Sequence, residues 1–413
     1  MNNSYYLVTF GCQMNHSDSE RISSSLEKKG YKPASKIDEA GLIVVNMCSI
    51  RQSAVDRVYG LLFKLKKLKT QNSNVKTILT GCILNKDKNK FLKNFNLVLS
   101  VNDFLNTKNY LTIKPKYSNN FSALIPISNG CNNFCSYCVV PFTRGPLVCR
   151  DHKEILKEIE EIVKKRFKEI WLLGQNVNDY ISPSDTNINF TELLKLVDDL
   201  SENIWIRFTS PHPQYFSNEL IEVITRGKNI TPYLNLPVQS GDDKILKKMK
   251  RPYSVSDYKR LVKKIRKKIP SIILSTDVIV GFPGETKQEF QNTAKLFDEM
   301  KFDMAYISKY SPRTGTSAEK MQDNVSLKEK DKRRETLTEI LKKTALKNNK
   351  KYIGKTIEVL ATKYKDKILT GKSRDYKTVK FKGSESQIGQ LVKVEIINAL
   401  PWGLDGKSLE KNR

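Results

Sequence analysis

Short apolar runs alternate with helical patterns along most of this chain, and this alternation limits its fold more than any other feature. Four runs predict strands before residue 115: Tyr5–Phe10, Leu42–Met47, Lys76–Thr80 and Leu97–Val101. Amphipathic patterns lie between them, for example Ser17–Lys29 and Gln52–Lys69. Because each helix returns the chain to the same sheet edge, the strands must run parallel. The first region therefore predicts a parallel α/β sandwich.

The alternation continues after a polar segment, Thr112–Asn120, which is typical of a linker. Six further runs predict strands: Ala123–Ser128, Glu169–Leu173, Trp205–Phe208, Tyr233–Val238, Ile272–Val280 and Met304–Tyr310. Helical patterns separate them: Lys153–Arg166, Thr191–Asp199, Asn218–Arg226, Ser256–Lys268 and Lys287–Met300. Six such units predict a partial (β/α)6 barrel, which falls short of the eight-unit form.

The pattern changes after a long charged helix, predicted over Lys328–Asn348. Four short β runs follow: Thr356–Thr362, Ile368–Lys372, Thr378–Lys382 and Leu391–Asn398. Lys, Gly and Asn residues between them favour tight turns, so this region predicts a small antiparallel β-barrel of OB-like type. The predicted domains are therefore residues 3–115, 117–348 and 351–413, all within an α/β chain.

The net charge of +28, from 72 Lys and Arg against 44 Asp and Glu, favours a polyanionic partner. A lysine-rich composition alone would give the same excess, since many lysines lie on predicted solvated faces such as Lys250–Lys268. No apolar run reaches about eighteen residues, which predicts no membrane span. The start, Met1–Ser4, lacks the pattern of a secretory signal, so we expect a cytoplasmic protein.

Seven cysteines in a chain without an export pattern favour metal binding over disulfides. Cys131, Cys135 and Cys138 follow the first barrel strand with C-x3-C-x2-C spacing, at the end where such barrels place their chemistry. A [4Fe–4S] cluster normally takes four thiolates, so three leave one iron open. The alternative is a structural zinc loop, although zinc sites usually use four ligands.

The three N-terminal cysteines share one structural context. Cys12, Cys48 and Cys82 each come within two residues of the end of a predicted parallel strand. Because the carboxyl ends of parallel strands meet at one sheet edge, the three thiols are expected to lie close together. The alternative is three ordinary buried cysteines, a common environment for this residue. Cys149 belongs to neither set and is interpreted as a small core residue.

The triplet at 131–138, with Tyr137 before its last cysteine, resembles the signature of radical S-adenosylmethionine (radical SAM) enzymes. In that family the open iron of the cluster binds the amino and carboxylate groups of SAM. Two further segments resemble the N-terminal domain of its methylthiotransferases: Gly11-Cys12-Gln13-Met14-Asn15 and Asn46-Met47-Cys48-Ser49-Ile50-Arg51. The resemblance implies a second [4Fe–4S] cluster, held by Cys12, Cys48 and Cys82, and a C-terminal RNA-binding TRAM domain.

Within this family the motifs are most similar to the MiaB-type branch. Two segments beyond the first cysteines support this: Val139-Val140-Pro141-Phe142-Thr143-Arg144-Gly145 and Gly174-Gln175-Asn176-Val177-Asn178. The resemblance implies methylthiolation at C2 of N6-(dimethylallyl)adenosine at position 37 of the tRNA anticodon stem-loop. It implies two SAM molecules and two clusters. We also expect an electron donor such as flavodoxin or ferredoxin, and a multidomain monomer.

Two alternatives remain at this stage. The branches that modify threonylcarbamoyladenosine in tRNA or a ribosomal protein share the same architecture. A different class, a non-catalytic iron–sulfur RNA-binding protein, would have no need of an open iron site.

Candidate SAM contacts lie at strand ends around the barrel mouth: Tyr137, Gln175, Asn176, Gln239, Asp277 and Gly281. A tight βα turn explains Gly281 equally well, and His212 is more typical of a turn than of a ligand. No catalytic residue is expected beyond the cluster ligands. Basic and aromatic residues of the last domain favour RNA contact: Arg374, Tyr376, Lys377, Lys380 and Lys382.

Overall fold

The computed structural model describes residues 3–50, 52–84, 87–107, 109–200 and 203–409. Three parts of the sequence discussed above lie outside the described residues: Met1 and Asn2, Arg51 of the second cysteine motif, and the last four residues of the predicted C-terminal domain. None of the described helices combines the length and the apolar character that crossing a bilayer requires.

The N-terminal region forms a five-stranded parallel sheet in the order β2-β1-β3-β4-β5. Its strands and helices are β1 (Ser4–Phe10), α1 (Gln13–Lys28), β2 (Lys32–Pro33), β3 (Leu42–Cys48), α2 (Gln52–Gln71), β4 (Lys76–Cys82), α3 (Lys88–Leu92), β5 (Leu97–Val98) and α4 (Val101–Leu105). The parallel sandwich predicted from the alternation is confirmed. The predicted strand Leu97–Val101 ends early because Ser100 caps α4 by accepting a hydrogen bond from the Asp103 N–H.

The central strand β3 explains why the sheet takes helices on both faces. Every residue of β3 is buried, and its side chains alternate between two cores. Ile43, Val45 and Met47 face the core formed with α2, whereas Leu42 and Val44 face the core formed with α1 and α4. A strand that is buried on both faces has a nearly continuous apolar sequence, and Leu42–Met47 has such a sequence.

The central region contains the longest series of elements. These are β6 (Ser122–Pro126), β7 (Ser128–Asn129), α5 (Val140–Arg144), β8 (Val148–Cys149), α6 (His152–Lys164), β9 (Glu169–Leu173), α7 (Phe190–Leu200), β10 (Trp205–Phe208), α8 (Asn218–Arg226), β11 (Tyr233–Asn235), α9 (Asp243–Lys248), α10 (Val255–Lys268), β12 (Ile273–Val280), α11 (Lys287–Met300), β13 (Met304–Lys309) and α12 (Leu327–Asn349).

Six parallel strands of this region form the partial barrel that the sequence predicts. They pair as β6-β9-β10 and β11-β12-β13, and an isolated parallel bridge between Ile206 and Ile230 links the two groups. β6 and β13 are the two open edges. The N-terminal region packs beside the first edge, where the Ser17 hydroxyl donates to the Leu124 carbonyl over 3.2 Å. The other edge strand, β13, is more open to solvent, and Tyr306 on this strand is 47% exposed.

The C-terminal region is a closed five-stranded barrel in the order β14-β15-β16-β18-β17. Its strands are β14 (Thr356–Lys365), β15 (Ile368–Ser373), β16 (Thr378–Lys382), β17 (Leu391–Leu400) and β18 (Gly403–Ser408). The sequence analysis missed β18. This strand closes the barrel by pairing parallel with β16, so one pairing departs from the antiparallel pattern that was predicted.

The loop between β15 and β16 seals the end of the central barrel where the strands begin. The Arg207 guanidinium forms an ion pair with Glu169 over 2.7 Å and donates to the Ser373 and Arg374 carbonyls. The Tyr376 ring lies 5.1 Å from the Trp171 ring, although its backbone φ is +71°. Such a φ is strained for a residue with a side chain and persists here because the surrounding contacts hold it.

This interface corrects part of the predicted RNA surface. Lys377 is buried and forms an ion pair with Asp303 of the central region over 2.9 Å. Tyr376 packs against Trp171 and Tyr233 of the central barrel. Arg374 donates to the Lys228 carbonyl. These three side chains therefore attach one domain to another, and only Lys380 and Lys382 of the predicted set stand free on exposed strand positions.

We expect Arg207→Met to destabilise the protein by about 3–5 kcal/mol, because it leaves the buried Glu169 carboxylate without its cation. Thermal unfolding followed by circular dichroism measures the effect. The control is Arg226→Met, since the Arg226 side chain is 83% exposed and its ion pair is 4.0 Å long. Equal melting temperatures for the two variants would contradict the assigned role.

Candidate functional site

The C-x3-C-x2-C loop begins at the carboxyl end of the first barrel strand, as predicted. Gly130 has φ +83°, and a Cβ there would lie 2.0 Å from the Pro146 carbonyl oxygen, so only glycine fits. The Gly130 N–H donates to the Gln175 side-chain oxygen over 2.6 Å. This contact anchors the start of the loop to the end of β9.

Ser136, in the middle of the loop, fixes it to two other segments. Its N–H donates to the Met249 carbonyl over 3.1 Å, and its hydroxyl donates to the Lys248 carbonyl over 2.8 Å. Its own carbonyl accepts the Ala318 N–H over 2.8 Å. Because Ser136 lies between Cys135 and Cys138, these bonds set the positions of both thiols.

Each thiol of the loop meets an N–H donor. The Cys131 sulfur accepts from the Asn133 N–H at 3.4 Å, Cys138 from the Val140 N–H at 3.5 Å, and Cys135 from Arg251 Nη1 at 3.6 Å. Burial raises the pKa of Cys131, and it raises the pKa of Cys138 to about 12. Three mutually repelling thiolates therefore need a cationic centre, while the donors are placed to stabilise the charge left on sulfur.

Arg251 is a site residue that the sequence analysis missed. It lies at the start of the stretch interpreted there as solvated, yet it is only 8% exposed. Its Nε donates to the Tyr253 hydroxyl over 2.8 Å, and its Nη2 donates to the Pro237 carbonyl over 3.2 Å. It lies 116 residues from Cys135 along the chain, so no local sequence pattern predicts the contact.

The three N-terminal cysteines come together as the strand ends predict. Cys48 and Cys82 are paired neighbours in β3 and β4, and Cys12 caps α1. The Cys12 and Cys82 sulfurs both lie within hydrogen-bonding reach of the Cys48 thiol. Donation from Cys48 lowers the pKa of Cys12 to about 5 and lowers the pKa of Cys82, while the pKa of Cys48 itself rises.

Arg144 joins the two cysteine sets. It ends α5, the short helix that follows Cys138, and its Nε donates to the Cys82 sulfur over 3.0 Å. Its Nη2 pairs with the fully buried Asp18 over 2.7 Å, and its Nη1 donates to the Tyr110 hydroxyl. One guanidinium therefore connects the radical SAM-type loop to the N-terminal thiols.

A second arginine, Arg313, also reaches the N-terminal set from the end of β13. Its Nη1 donates to the Gln52 side-chain oxygen over 2.7 Å, and its charge lies close enough to act on Cys48. The N-terminal thiols are thus flanked by cations from two parts of the barrel, which suits a site that carries thiolates.

Within the described residues, no three His, Cys, Asp or Glu side chains surround a single metal ion position. A four-iron cluster does not require this, because each thiolate binds a different iron. Both sets fit such a cluster by their chemistry, since each supplies three sulfurs with N–H donors or arginines beside them. Cys149 stands apart, half-buried against the barrel core, as expected for a small packing residue.

The six predicted SAM contacts lie around the barrel mouth, and they differ in how far local contacts already engage them. Tyr137 packs beside Phe282 and Tyr310, and Gln175 holds the cluster loop. The side chain of Asn176 is buried without a well-aligned hydrogen bond. Burial raises the pKa of the neighbouring Asp179, and the Asn176 amide lies close enough to offset part of that rise.

The other three predicted contacts serve turns or the barrel interior. Gln239 has φ +70° and bridges to Val278, while the Asp277 carboxylate accepts from the Asn235 amide over 2.9 Å. The Gly281 N–H donates to Glu285 over 2.6 Å, which favours the turn interpretation. Contact of any of the six with SAM stays a prediction.

His212 combines a turn role with an unpaired atom at the mouth. Its Nδ1 accepts the Gln214 N–H over 3.3 Å, so the neutral ring carries its proton on Nε2, which has no partner within the described residues. Burial, with the charge of Arg251, lowers the pKa of His212 to about 3. The ring is therefore a neutral donor at physiological pH.

Three family matches cover the regions that the fold separates. Residues 125–297 match the Radical SAM superfamily, residues 4–102 match the Uncharacterized protein family UPF0004, and residues 349–409 match the TRAM domain. These matches confirm the predicted central barrel type and the predicted TRAM domain.

Solved structures show likeness of fold alone. The radical S-adenosylmethionine methyltransferase TsrM from Kitasatospora setae, with cobalamin and a [4Fe-4S] cluster bound, has a TM-score of 0.54 at 13% identity, over 77% of each chain. The cobalamin-dependent S-adenosylmethionine radical enzyme OxsB has a TM-score of 0.51 at 11% identity, over 81% of this chain and 56% of its own. The Radical SAM match and the cysteine loop within it define a radical SAM enzyme, a class that uses SAM and a [4Fe–4S] cluster.

Curated relatives are similar over nearly the whole chain. Proteins named tRNA-2-methylthio-N(6)-dimethylallyladenosine synthase from Clostridium botulinum and Thermoanaerobacter pseudethanolicus are each 38% identical over 98% of this chain, and over 97% and 93% of their own lengths. A Clostridium perfringens protein of the same name is 37% identical. The chain belongs to this family, which confirms the resemblance and contradicts the non-catalytic alternative.

We expect Arg144→Gln to lower iron binding at the N-terminal thiols, because Cys82 loses its charged donor and Asp18 loses its cation. The measurement is iron per chain after anaerobic reconstitution, with SAM cleavage as the readout of the other loop. Arg144→Lys retains the charge but loses the planar set of guanidinium donors, so its iron content should lie between those of the wild type and the glutamine variant. Full iron content in the glutamine variant would remove Arg144 from the site.

Stability should fall as pH drops from about 6.5 toward 3, in part through His212. In the unfolded chain this ring is protonated below its ordinary pKa of 6.5, whereas the folded ring stays neutral down to about 3. Unfolding therefore takes up a proton in this window. His212→Gln should lose less melting temperature between pH 7 and pH 5 than the wild type, and an equal loss would refute the low pKa.

Proposed function

We propose that this chain transfers a methylthio group to C2 of N6-(dimethylallyl)adenosine at position 37 of tRNA, giving 2-methylthio-N6-(dimethylallyl)adenosine. The observation that carries the proposal is the contact of Arg144, which ends the helix after Cys138, with Cys82. Two thiol sets so close to each other suit a reaction that activates a substrate carbon at one and delivers sulfur from the other. Whole-length similarity to synthases of this name supports the choice of base.

The six cysteines are proposed as the ligands of two [4Fe–4S] clusters, Cys131, Cys135 and Cys138 for one and Cys12, Cys48 and Cys82 for the other. With SAM, these groups would supply the radical that removes the C2 hydrogen and the methylthio unit that replaces it. The chain's own residues hold the thiolates, orient them and keep water away. Neutral His212 and the buried Asn176 amide are the polar groups best placed to meet SAM.

The base is proposed to enter beside the edge strand β13, where Tyr306 is exposed. Burial raises the pKa of Tyr233 and of Tyr376 within the barrel, and the Tyr306 hydroxyl lies close enough to both to add to this rise. The Trp171 ring meets both of those tyrosine rings edge to face, so the interior offers aromatic and apolar surface that suits an adenine with an isoprenoid substituent. The N-terminal region and the C-terminal barrel border the same interior through Met14 and Tyr376.

The RNA backbone is proposed to lie along the C-terminal barrel. Lys365, Lys380 and Lys382 line a groove of ≈ 490 Å³ on its surface, together with Asp366 and Asp405. Exposed lysines that line one groove suit phosphate contacts without sequence selection. This replaces the part of the predicted surface that is used in the domain interface.

The proposal has further features, which the resemblance to the family supports. The domains run over residues 3–115, 117–348 and 351–413, and the protein is a cytoplasmic monomer. The candidate SAM contacts are Tyr137, Gln175, Asn176, Gln239, Asp277 and Gly281, of which local contacts favour Asn176 most and Gly281 least. An external donor, a flavodoxin or ferredoxin, supplies the electron that radical generation consumes.

Nucleoside mass spectrometry of bulk tRNA tests the function. A strain without the gene should accumulate N6-(dimethylallyl)adenosine and lack its 2-methylthio form, while other methylthio nucleosides stay unchanged. The wild-type gene should restore the product, whereas neither Cys12/48/82→Ala nor Cys131/135/138→Ala should do so, because each removes one cluster.

Iron and SAM assays separate the two triple variants. The wild type should bind about eight irons per chain and each variant about four, as expected for two four-iron clusters. Only the Cys131/135/138→Ala variant should lose SAM cleavage. An unchanged nucleoside profile in the deletion strain would exclude both tRNA substrates, and four irons in the wild type would exclude two clusters.

A further inference from the structure

A surface groove lies next to the Cys131–Cys138 loop, on the outer side of Arg251. It measures ≈ 510 Å³ and is lined by the end of α9 and the turn that leads into α10: Asp243, Lys247, Lys250, Arg251, Pro252, Tyr253 and Ser254. We propose that this groove docks an acidic, one-electron carrier protein that reduces the cluster of this loop. The inference rests on the proposed function, because it assumes that the loop holds a cluster.

The wall of the groove touches the cysteine loop directly. Arg251, which lines the groove, places its Nη1 3.6 Å from the Cys135 sulfur. The carbonyls of Lys248 and Met249, at the end of α9, accept both hydrogen bonds that Ser136 donates. A redox centre held in the groove is thus separated from the thiolates by little more than one layer of side chains. Electron transfer between proteins requires such a short path.

The charge of the groove selects the kind of partner. Between Asp242 and Arg251 the sequence has five basic residues and two acidic ones. Lys247, Lys248 and Lys250 are exposed. Asp242 is buried and engaged in capping α9, and Asp243 accepts the Val255 N–H over 2.6 Å, so local groups occupy both carboxylates. An excess of exposed lysines attracts an acidic surface and speeds its encounter.

The position of the groove favours a protein carrier over tRNA. The substrate base must lie between the two thiol sets, and the second set adjoins the loop through Arg144, beyond Cys138. The groove borders the loop through Cys135 and Ser136. The C-terminal barrel attaches at the strand-start end of the central barrel, through Asp303 and Arg207, which is the end opposite to the groove.

The proposed step is a single electron transfer. The reduced carrier loses one electron, the cluster gains it, and no bond forms or breaks while the two proteins are docked. The carrier is a small acidic protein with a flavin or an iron–sulfur centre near its surface. The electron then serves the SAM chemistry that the loop already supports, so the step needs no further reductant.

The test compares two reductants on the reconstituted full-length protein without tRNA. Anaerobic stopped-flow absorbance measures cluster bleaching by a reduced acidic flavodoxin and, separately, by dithionite. The readout is the ratio of the two rates, which cancels any loss of cluster in a variant. Lys247→Glu/Lys250→Glu should lower this ratio by about tenfold at low salt, and added salt should shrink the difference.

A matched control changes the same charge elsewhere. Lys263 and Lys267 are exposed on α10, and Lys263→Glu/Lys267→Glu should leave the ratio at the wild-type value. Lys247→Gln/Lys250→Gln, which removes charge without reversing it, should lower the ratio less than the glutamate pair.

Two results would overturn the proposal. The first is a wild-type ratio in Lys247→Glu/Lys250→Glu. The second is an equal fall in the ratio for the control pair, since that would make net charge the cause rather than the groove. Weaker binding of an anticodon stem-loop by the glutamate pair, with the ratio unchanged, would assign the groove to RNA. Failure of methylthio transfer to tRNA would leave the ratio untouched, so the two proposals fail separately.

Discussion

The contact on which this structure most depends is that of the Arg144 guanidinium with Asp18 and Cys82. A charge this deeply buried is tolerated only when it is paired and hydrogen-bonded on every side, and Arg144 has an aspartate, a sulfur, a tyrosine hydroxyl and the Asn129 amide oxygen as partners. These partners come from two domains. The same bonds that satisfy the charge therefore fix the distance between the two thiol sets. A group transfer between the two sets requires that this distance be fixed.

A second buried arginine performs the corresponding task at the other end of the barrel. Arg207 binds Glu169 within the barrel and two carbonyls of the C-terminal domain, where Tyr376 accepts an unfavourable φ to reach Trp171. The two ends of the barrel are thus tied to the flanking domains by charge-assisted hydrogen bonds, in addition to the apolar contacts of Met14 and Tyr376. Such bonds are directional, and so they set orientation as well as proximity.

Much of the architecture was predictable because it depends on local periodicity. Alternating apolar runs predicted the parallel sheet and the six barrel strands, and Trp205–Phe208 and Lys287–Met300 coincide with the observed elements. The strand β18 was missed because Gly403–Ser408 contains two glycines and no apolar alternation; its pairing with β16 and β17 defines it. The C-terminal aromatic and basic cluster was misjudged for a similar reason, since exposure depends on what another domain covers.

The sequence by itself determined which thiols could act together. Strand ends in a parallel sheet meet at one edge, and C-x3-C-x2-C spacing holds three sulfurs in one loop, so both sets followed from short-range rules. Only the tertiary structure decided how they are surrounded. Arg144 and Arg251 lie 62 and 116 residues from the sulfurs they contact, and no periodic pattern encodes a pairing across such a separation. The physical reason is that a buried cation is placed by the sum of its partners, and these become neighbours only when the domains pack.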